Sequence, residues 1–146
     1  LSNPNPNKPI IEIGCGKGIL TKALSNIGPT HVIEIDERWI NYVSNLNLKN
    51  VTFIKDDALN VDYSNLPKGA PVIANIPYQI TSPLIEILSQ FKHHLGPITI
   101  MIQKDVADRL LAKKNTKTKT MTSSNSSGRQ ILIWTFSCCH GNQVVK

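Results

Sequence analysis

Pro9-Ile10-Ile11-Glu12-Ile13-Gly14-Cys15-Gly16-Lys17-Gly18 is the stretch that decides the fold. The apolar run Ile10 to Ile13 reads as a buried strand, the glycine cluster behind it as a tight loop, and the apolar periodicity from Ile19 to Ile27 as a helix. A strand that runs through a glycine turn into a helix is the opening of a βαβ unit, and the rest of the chain continues it. Gly28-Pro29 stops the helix, His31 to Ile35 forms a second strand, and Asp36-Glu37 opens a helix with Trp39, Ile40, Val43 and Leu46 on one face. Val51 to Lys55 and Pro71 to Ala74 are the third and fourth strands. Ser82 then suits an N-cap with Pro83 at the first helical position, and this helix is expected to run to about His94, where Gly96-Pro97 ends it. Ile98 to Gln103 is a fifth strand and Lys104 to Lys113 a further helix. Such alternation predicts an α/β fold built on an open, mostly parallel, doubly wound sheet, because parallel strands need crossovers and helices must cover both faces.

The low-complexity polar residues 115–127 have little to bury and read as a linker, and the apolar run Ile131 to Phe136 reads as a further strand. The chain is thus divided into a core over 1–114, a linker over 115–127, and a strand with a tail over 128–146.

A chain of 146 residues with 40% hydrophobic content suits one globular domain. No apolar run approaches the roughly 20 residues that cross a bilayer, and residues 1–9 have no signal-peptide character, so a cytoplasmic protein is expected. Cys15, Cys138 and Cys139 have neither disulfide-framework nor metal-ligand spacing, so reduced thiols and no metal are expected. Up to Leu111 the charges balance; Lys113, Lys114, Lys117, Lys119, Arg129 and Lys146 carry the whole net charge of +6. That excess suits either a phosphate-attracting arm or a solvated tail.

In this fold ligands bind beyond the carboxyl ends of the strands. Four ends are informative. Gly14, Gly16 and Gly18 permit close backbone approach, but their spacing departs from the G-x-G-x-x-G of dinucleotide sites and lacks the Gly-Lys-Ser/Thr of a phosphate loop, which favours a nucleoside over a pyrophosphate. A glycine turn without any ligand is the plainer reading. Glu34 stands where a carboxylate can accept from both hydroxyls of a ribose, while Asp36 and Glu37 suit the start of the helix. Asp57, in Asp56-Asp57-Ala58-Leu59, could accept from the exocyclic amine of an adenine or merely cap a turn. Asn75-Ile76-Pro77-Tyr78 combines an amide, a fixed backbone and an aromatic face, a set that suits a planar base bearing an amine.

Taken in order, these motifs resemble those of the ribosomal RNA adenine N6,N6-dimethyltransferases, a family that includes the small-subunit dimethyladenosine transferases and the Erm-type resistance enzymes. Glu12-Ile-Gly-Cys-Gly-Lys-Gly resembles its E-I-G-x-G-x-G, Glu34-Ile-Asp its E-I-D, Asp57-Ala58-Leu its D-A-L, and Asn75-Ile-Pro-Tyr its N-L-P-Y. Gln103-Lys-Asp-Val-Ala-Asp-Arg-Leu resembles the Q-K-E-V-A-x-R-L of the small-subunit branch. The resemblance spans about residues 9–113 and implies a Rossmann-like, S-adenosylmethionine-dependent methyltransferase fold, here incomplete. It implies that Gly14 and Gly16 carry the methionine part of S-adenosylmethionine, Glu34 its ribose, and Asp57 with Ala58 its adenine. Asn75 would lie between cofactor and target, sharing the target amine with a carbonyl of Ile76 or Pro77, and Tyr78 would stack on the extruded base. Cys15 stands where many relatives have proline, an exchange expected to leave cofactor binding intact. The implied partner is ribosomal RNA of the small subunit, bound by a monomer.

Relatives also carry a glutamine-asparagine-phenylalanine segment ahead of the first strand and a C-terminal helical RNA-binding domain. Neither is found in the 146 residues, so a fragment with weak or absent activity is expected. The rival readings are a methyltransferase for another amide or amine substrate and a non-catalytic RNA-binding or ribosome-assembly relative. A nicotinamide-linked dehydrogenase fits worse, because its glycine spacing differs.

Overall fold

The computed structural model describes residues 8–103, 119–124 and 130–136. Its elements in order are β1 (Ile10–Ile13), α1 (Ile19–Ser25), β2 (Thr30–Glu34), α2 (Glu37–Ser44), β3 (Val51–Lys55), a short 3-10 turn (Tyr63–Asn65), β4 (Val72–Asn75), α3 (Tyr78–Gln90), β5 (Ile98–Gln103), β6 (Lys119–Ser124) and β7 (Gln130–Phe136). The strands form one sheet in the order β3-β2-β1-β4-β5-β7-β6. β1 to β5 are mutually parallel, whereas β7 runs antiparallel to both β5 and β6. This is the doubly wound architecture expected from the alternation of strands and helices, with a reversed strand inserted next to β5.

Side chains alternate across each strand, and the two faces of the sheet bury different things. Ile11 and Ile13 of β1 join Val72, Ala74, Ile98, Ile100, Leu84, Leu88 and Tyr63 in the main core. On the other face a smaller cluster gathers Cys15, Val32 and Val43, with Trp39, Leu48, Val51 and Phe53 packed against it. Gly18 links α1 to α2: its φ of +74° suits glycine, and a Cβ there would lie 2.9 Å from Val43 Cγ2.

Two local expectations are corrected. Helix α3 starts at Tyr78, four residues ahead of the expected Ser82 cap, and Pro83 lies inside it. The apolar stripe explains this: Thr81, Leu84 and Leu88 are all buried, so the face that packs on the core extends ahead of Pro83. Pro77, with φ −58°, takes the capping position instead. The second correction falls in the expected polar linker, where Lys119–Ser124 form β6. The run Lys-Thr-Met-Thr-Ser-Ser has a threonine at every second place at its start, and β-branched residues suit a strand once a neighbour such as β7 satisfies the main chain. The expected helix over Lys104 to Lys113, and the remaining linker and tail, lie outside the described residues.

Candidate active site

Three of the predicted site residues leave the sheet side by side. Ile33, Ile13 and Ala74 stand opposite one another on β2, β1 and β4. Glu34, Gly14 and Asn75 are the next residues on those strands. Because the strands are parallel, all three project at the same edge, and Gly14 N–H donates to the Ile33 carbonyl at 2.9 Å. Asp57 follows at the end of β3, whose Lys55 is opposite Glu34. The sequence motifs therefore lie along one edge of the sheet, at the point where strand order reverses about β1 and β4.

The glycine loop is shaped for close approach. Gly14 and Gly16 have φ of +78° and +46°, and a Cβ on Gly16 would meet nothing within 4 Å. A Cβ on Gly14 would lie 3.8 Å from the carbonyl oxygen of Asn75, which measures how closely the loop passes the end of β4.

Glu34 is buried, 8% exposed, and is fixed at both oxygens. Oε2 accepts from Cys15 N–H at 3.1 Å and from the Cys15 thiol at 3.6 Å; Oε1 accepts from Asp36 N–H at 3.0 Å. A carboxylate held by backbone donors keeps further lone pairs for a ligand's hydroxyls. Asp36 caps α2 by accepting from Arg38 N–H at 2.9 Å and pairs with the Arg38 guanidinium at 2.6 Å. Those contacts hold its carboxyl below the usual carboxylate range. Glu37 pairs with Lys55 at 2.7 Å, so both acids serve the helix start as expected.

Asp57 is half-buried and accepts from Leu59 N–H at 2.9 Å, the contact of a turn-capping acid, which engages one of its two oxygens. Ala58 beside it is buried, and its carbonyl accepts from the Tyr63 hydroxyl at 2.8 Å. Tyr63 is fully buried, and burial, followed by the charges of Asp57 and Asp56, pushes its pKa up, so the phenol stays a donor. This brace of the acidic loop was not anticipated; the only sequence signal is a tyrosine five residues beyond Ala58 in an otherwise polar stretch.

Asn75 is exposed at the end of β4. Pro77 is exposed too, and its carbonyl accepts from Ile80 N–H at 3.3 Å and from the Thr81 hydroxyl at 3.3 Å. The start of α3 thus claims the Pro77 carbonyl. Tyr78 is the first residue of α3.

Sequence reasoning also passed over Glu12. It is fully buried on β1 beside Val32, and neither carboxyl oxygen makes a hydrogen bond. The Thr21 hydroxyl on α1 is likewise unpaired. Burial raises the Glu12 pKa to about 7, with the Thr21 hydroxyl lowering it and the charge of Glu34 raising it. Two large apolar side chains stand in the open next to motif residues: Ile35, 64% exposed, follows Glu34, and Ile19, 81% exposed, follows Gly18.

The ribosomal RNA adenine dimethylase family matches residues 1–127 of the sequence. The chain belongs to that family. It is 37% identical over 116 residues to the ribosomal RNA small subunit methyltransferase A of Nitrosospira multiformis, an alignment that covers 78% of this chain and 45% of the relative. The protein of that name from Clostridium acetobutylicum is 40% identical over 114 residues, covering 74% of this chain and 41% of the relative. Among solved structures, a dimethyladenosine transferase from Plasmodium falciparum superposes with a TM-score of 0.70 at 26% identity, covering 90% of this chain and 55% of that one. This member of the dimethylase family therefore spans less than half the length of the curated relatives it matches. Among the described residues, no helix is long and apolar enough to cross a membrane.

Proposed function

We propose that this chain is the S-adenosylmethionine-binding core of an RNA adenine N6-dimethyltransferase, acting as a monomer in the cytoplasm on small-subunit ribosomal RNA in the complete protein. The observation that carries the reading is the shared register of Gly14, Glu34 and Asn75 at one sheet edge, with Asp57 next to it. The residues present fit a nucleoside: an open glycine surface, a buried carboxylate held at both oxygens, and an exposed Ile35 to lie against a planar base. Membership of the dimethylase family supports the same reading. The β6–β7 hairpin extends the sheet of the core proposed for residues 1–114.

When bound, the cofactor supplies an electrophilic methyl group on a sulfonium. Gly14 and Gly16 admit its methionine end, Glu34 accepts from its ribose hydroxyls, and Asp57, with Ala58 behind it, accepts from the adenine amine. Asn75 and the Ile76 carbonyl hold the target amine and draw its lone pair out of conjugation; Pro77 fixes the backbone between them, and Tyr78 stacks on the extruded base. Positioning is the main catalytic contribution of these side chains, and no residue is required to act as a general base.

Calorimetric titration of the 146-residue chain with S-adenosylhomocysteine tests the binding half of the proposal. Saturable binding at one site is expected, with Glu34→Ala weakening it at least about tenfold; a chain that takes up no ligand refutes the reading. In the complete protein, Asn75→Ala should abolish methyl transfer to unmethylated small-subunit particles while cofactor affinity changes little. RNA binding without turnover by the unsubstituted complete protein would identify a non-catalytic relative.

A further inference from the structure

We propose that the Cys15 thiol is a positioning group for the nucleoside site, locking the Glu34 carboxylate in the orientation that accepts from ribose hydroxyls. The inference rests on the cofactor reading above and concerns Cys15, between Gly14 and Gly16 of the glycine loop.

Cys15 is buried, 6% exposed, and approaches Glu34 Oε2 twice, through its N–H at 3.1 Å and its Sγ at 3.6 Å. A proline in this place has neither donor. The Asp36 N–H holds the other oxygen at 3.0 Å, so the carboxylate is gripped from both ends and its rotation is blocked. Burial and the charge of Glu34 push the thiol pKa up to about 12, so the group remains an S–H donor across the neutral range. Glu12 is fully buried with neither oxygen hydrogen-bonded, and its charge acts on this thiol together with that of Glu34.

Ribose dependence of binding is the measurement that separates positioning from general packing. S-adenosylhomocysteine and its 2′-deoxyribose analogue are titrated into the parent chain, Cys15→Ala and Cys15→Ser. Cys15→Ala should weaken S-adenosylhomocysteine about fivefold, from loss of one weak hydrogen bond. It should leave the deoxy analogue much less affected, and Cys15→Ser should restore parental affinity. Unchanged affinity in Cys15→Ala, or equal losses for both ligands, overturns the proposal. Should Cys15→Ala fail to fold, the infrared S–H stretch of the parent decides, read with Cys138 and Cys139 replaced by serine. A hydrogen-bonded band that moves in Glu34→Gln supports the proposal, and a band that ignores Glu34→Gln overturns it. Indifference of binding to Glu34→Ala would instead remove the nucleoside reading itself.

Discussion

Relative to the parent, Glu12→Gln should be markedly more stable at pH 8 than at pH 5. The side chain is fully buried, both oxygens lack hydrogen bonds, and its pKa rises from an ordinary 4.5 to about 7. Below pH 4.5 the carboxyl is protonated in the folded and unfolded chains alike, and it contributes no pH dependence. Between 4.5 and 7 the unfolded chain releases the proton while the folded chain retains it, so stability falls as pH rises. Above 7 the folded protein carries the charge and the full cost, about 3 kcal/mol at 1.36 kcal/mol per unit of pKa. Glutamine has the same shape and never ionises, and its amide can donate to Thr21. Urea denaturation of both proteins at pH 5 and pH 8 measures the difference, and comparing parent with variant cancels every pH-dependent contribution the two share. An advantage for glutamine that is the same at both pH values would refute the reasoning, because it would mean that Glu12 does not ionise in a dry setting.

Gly18→Ala should lower stability by about 2–4 kcal/mol, since the left-handed backbone and a Cβ 2.9 Å from Val43 both oppose it; chemical denaturation measures the loss. Gly96→Ala should also destabilise by at least about 2 kcal/mol, because its Cβ would meet the Gly69 carbonyl oxygen at 2.5 Å and force apart a backbone contact that cannot yield cheaply; its thermal midpoint should drop well below that of the parent. Tyr63→Phe removes the hydroxyl donor to Ala58, which should cost about 1 kcal/mol of stability and weaken S-adenosylhomocysteine by a few fold through the loosened Asp57 loop, both readable from denaturation and calorimetry. Asp57→Asn should weaken an adenine-bearing ligand far more than an inosine analogue, and equal losses for the two would deny Asp57 contact with the exocyclic amine.

The first five strands and two helices were legible because each carries its own period and its own punctuation, and the four strand ends were legible because parallel strands put their chemistry at one edge. What escaped was set by partners distant in sequence. Ser82-Pro83 has the local form of a helix start, yet the burial of Thr81 against the core pulls the start back to Tyr78. Lys119–Ser124 lacks apolar content and becomes a strand through main-chain pairing with β7. Glu12 sits in a strand among isoleucines, and only its neighbours Val32 and Thr21 show that it is dry and unpaired. The contact of the Cys15 thiol with Glu34 likewise joins residues 19 apart and left no mark in the local sequence.

The row that joins Ile33, Ile13 and Ala74 brings together segments far apart along the chain, and Ala74 is reached only after three strands have been laid down. No shorter piece ending before β4 can bring Gly14, Glu34 and Asn75 to one edge. Ligand uptake is therefore a reporter of complete folding: an excess of S-adenosylhomocysteine at 100 times its dissociation constant should stabilise the whole sheet by about 2.7 kcal/mol, and any nick that separates β1 from β4 should erase that gain in full.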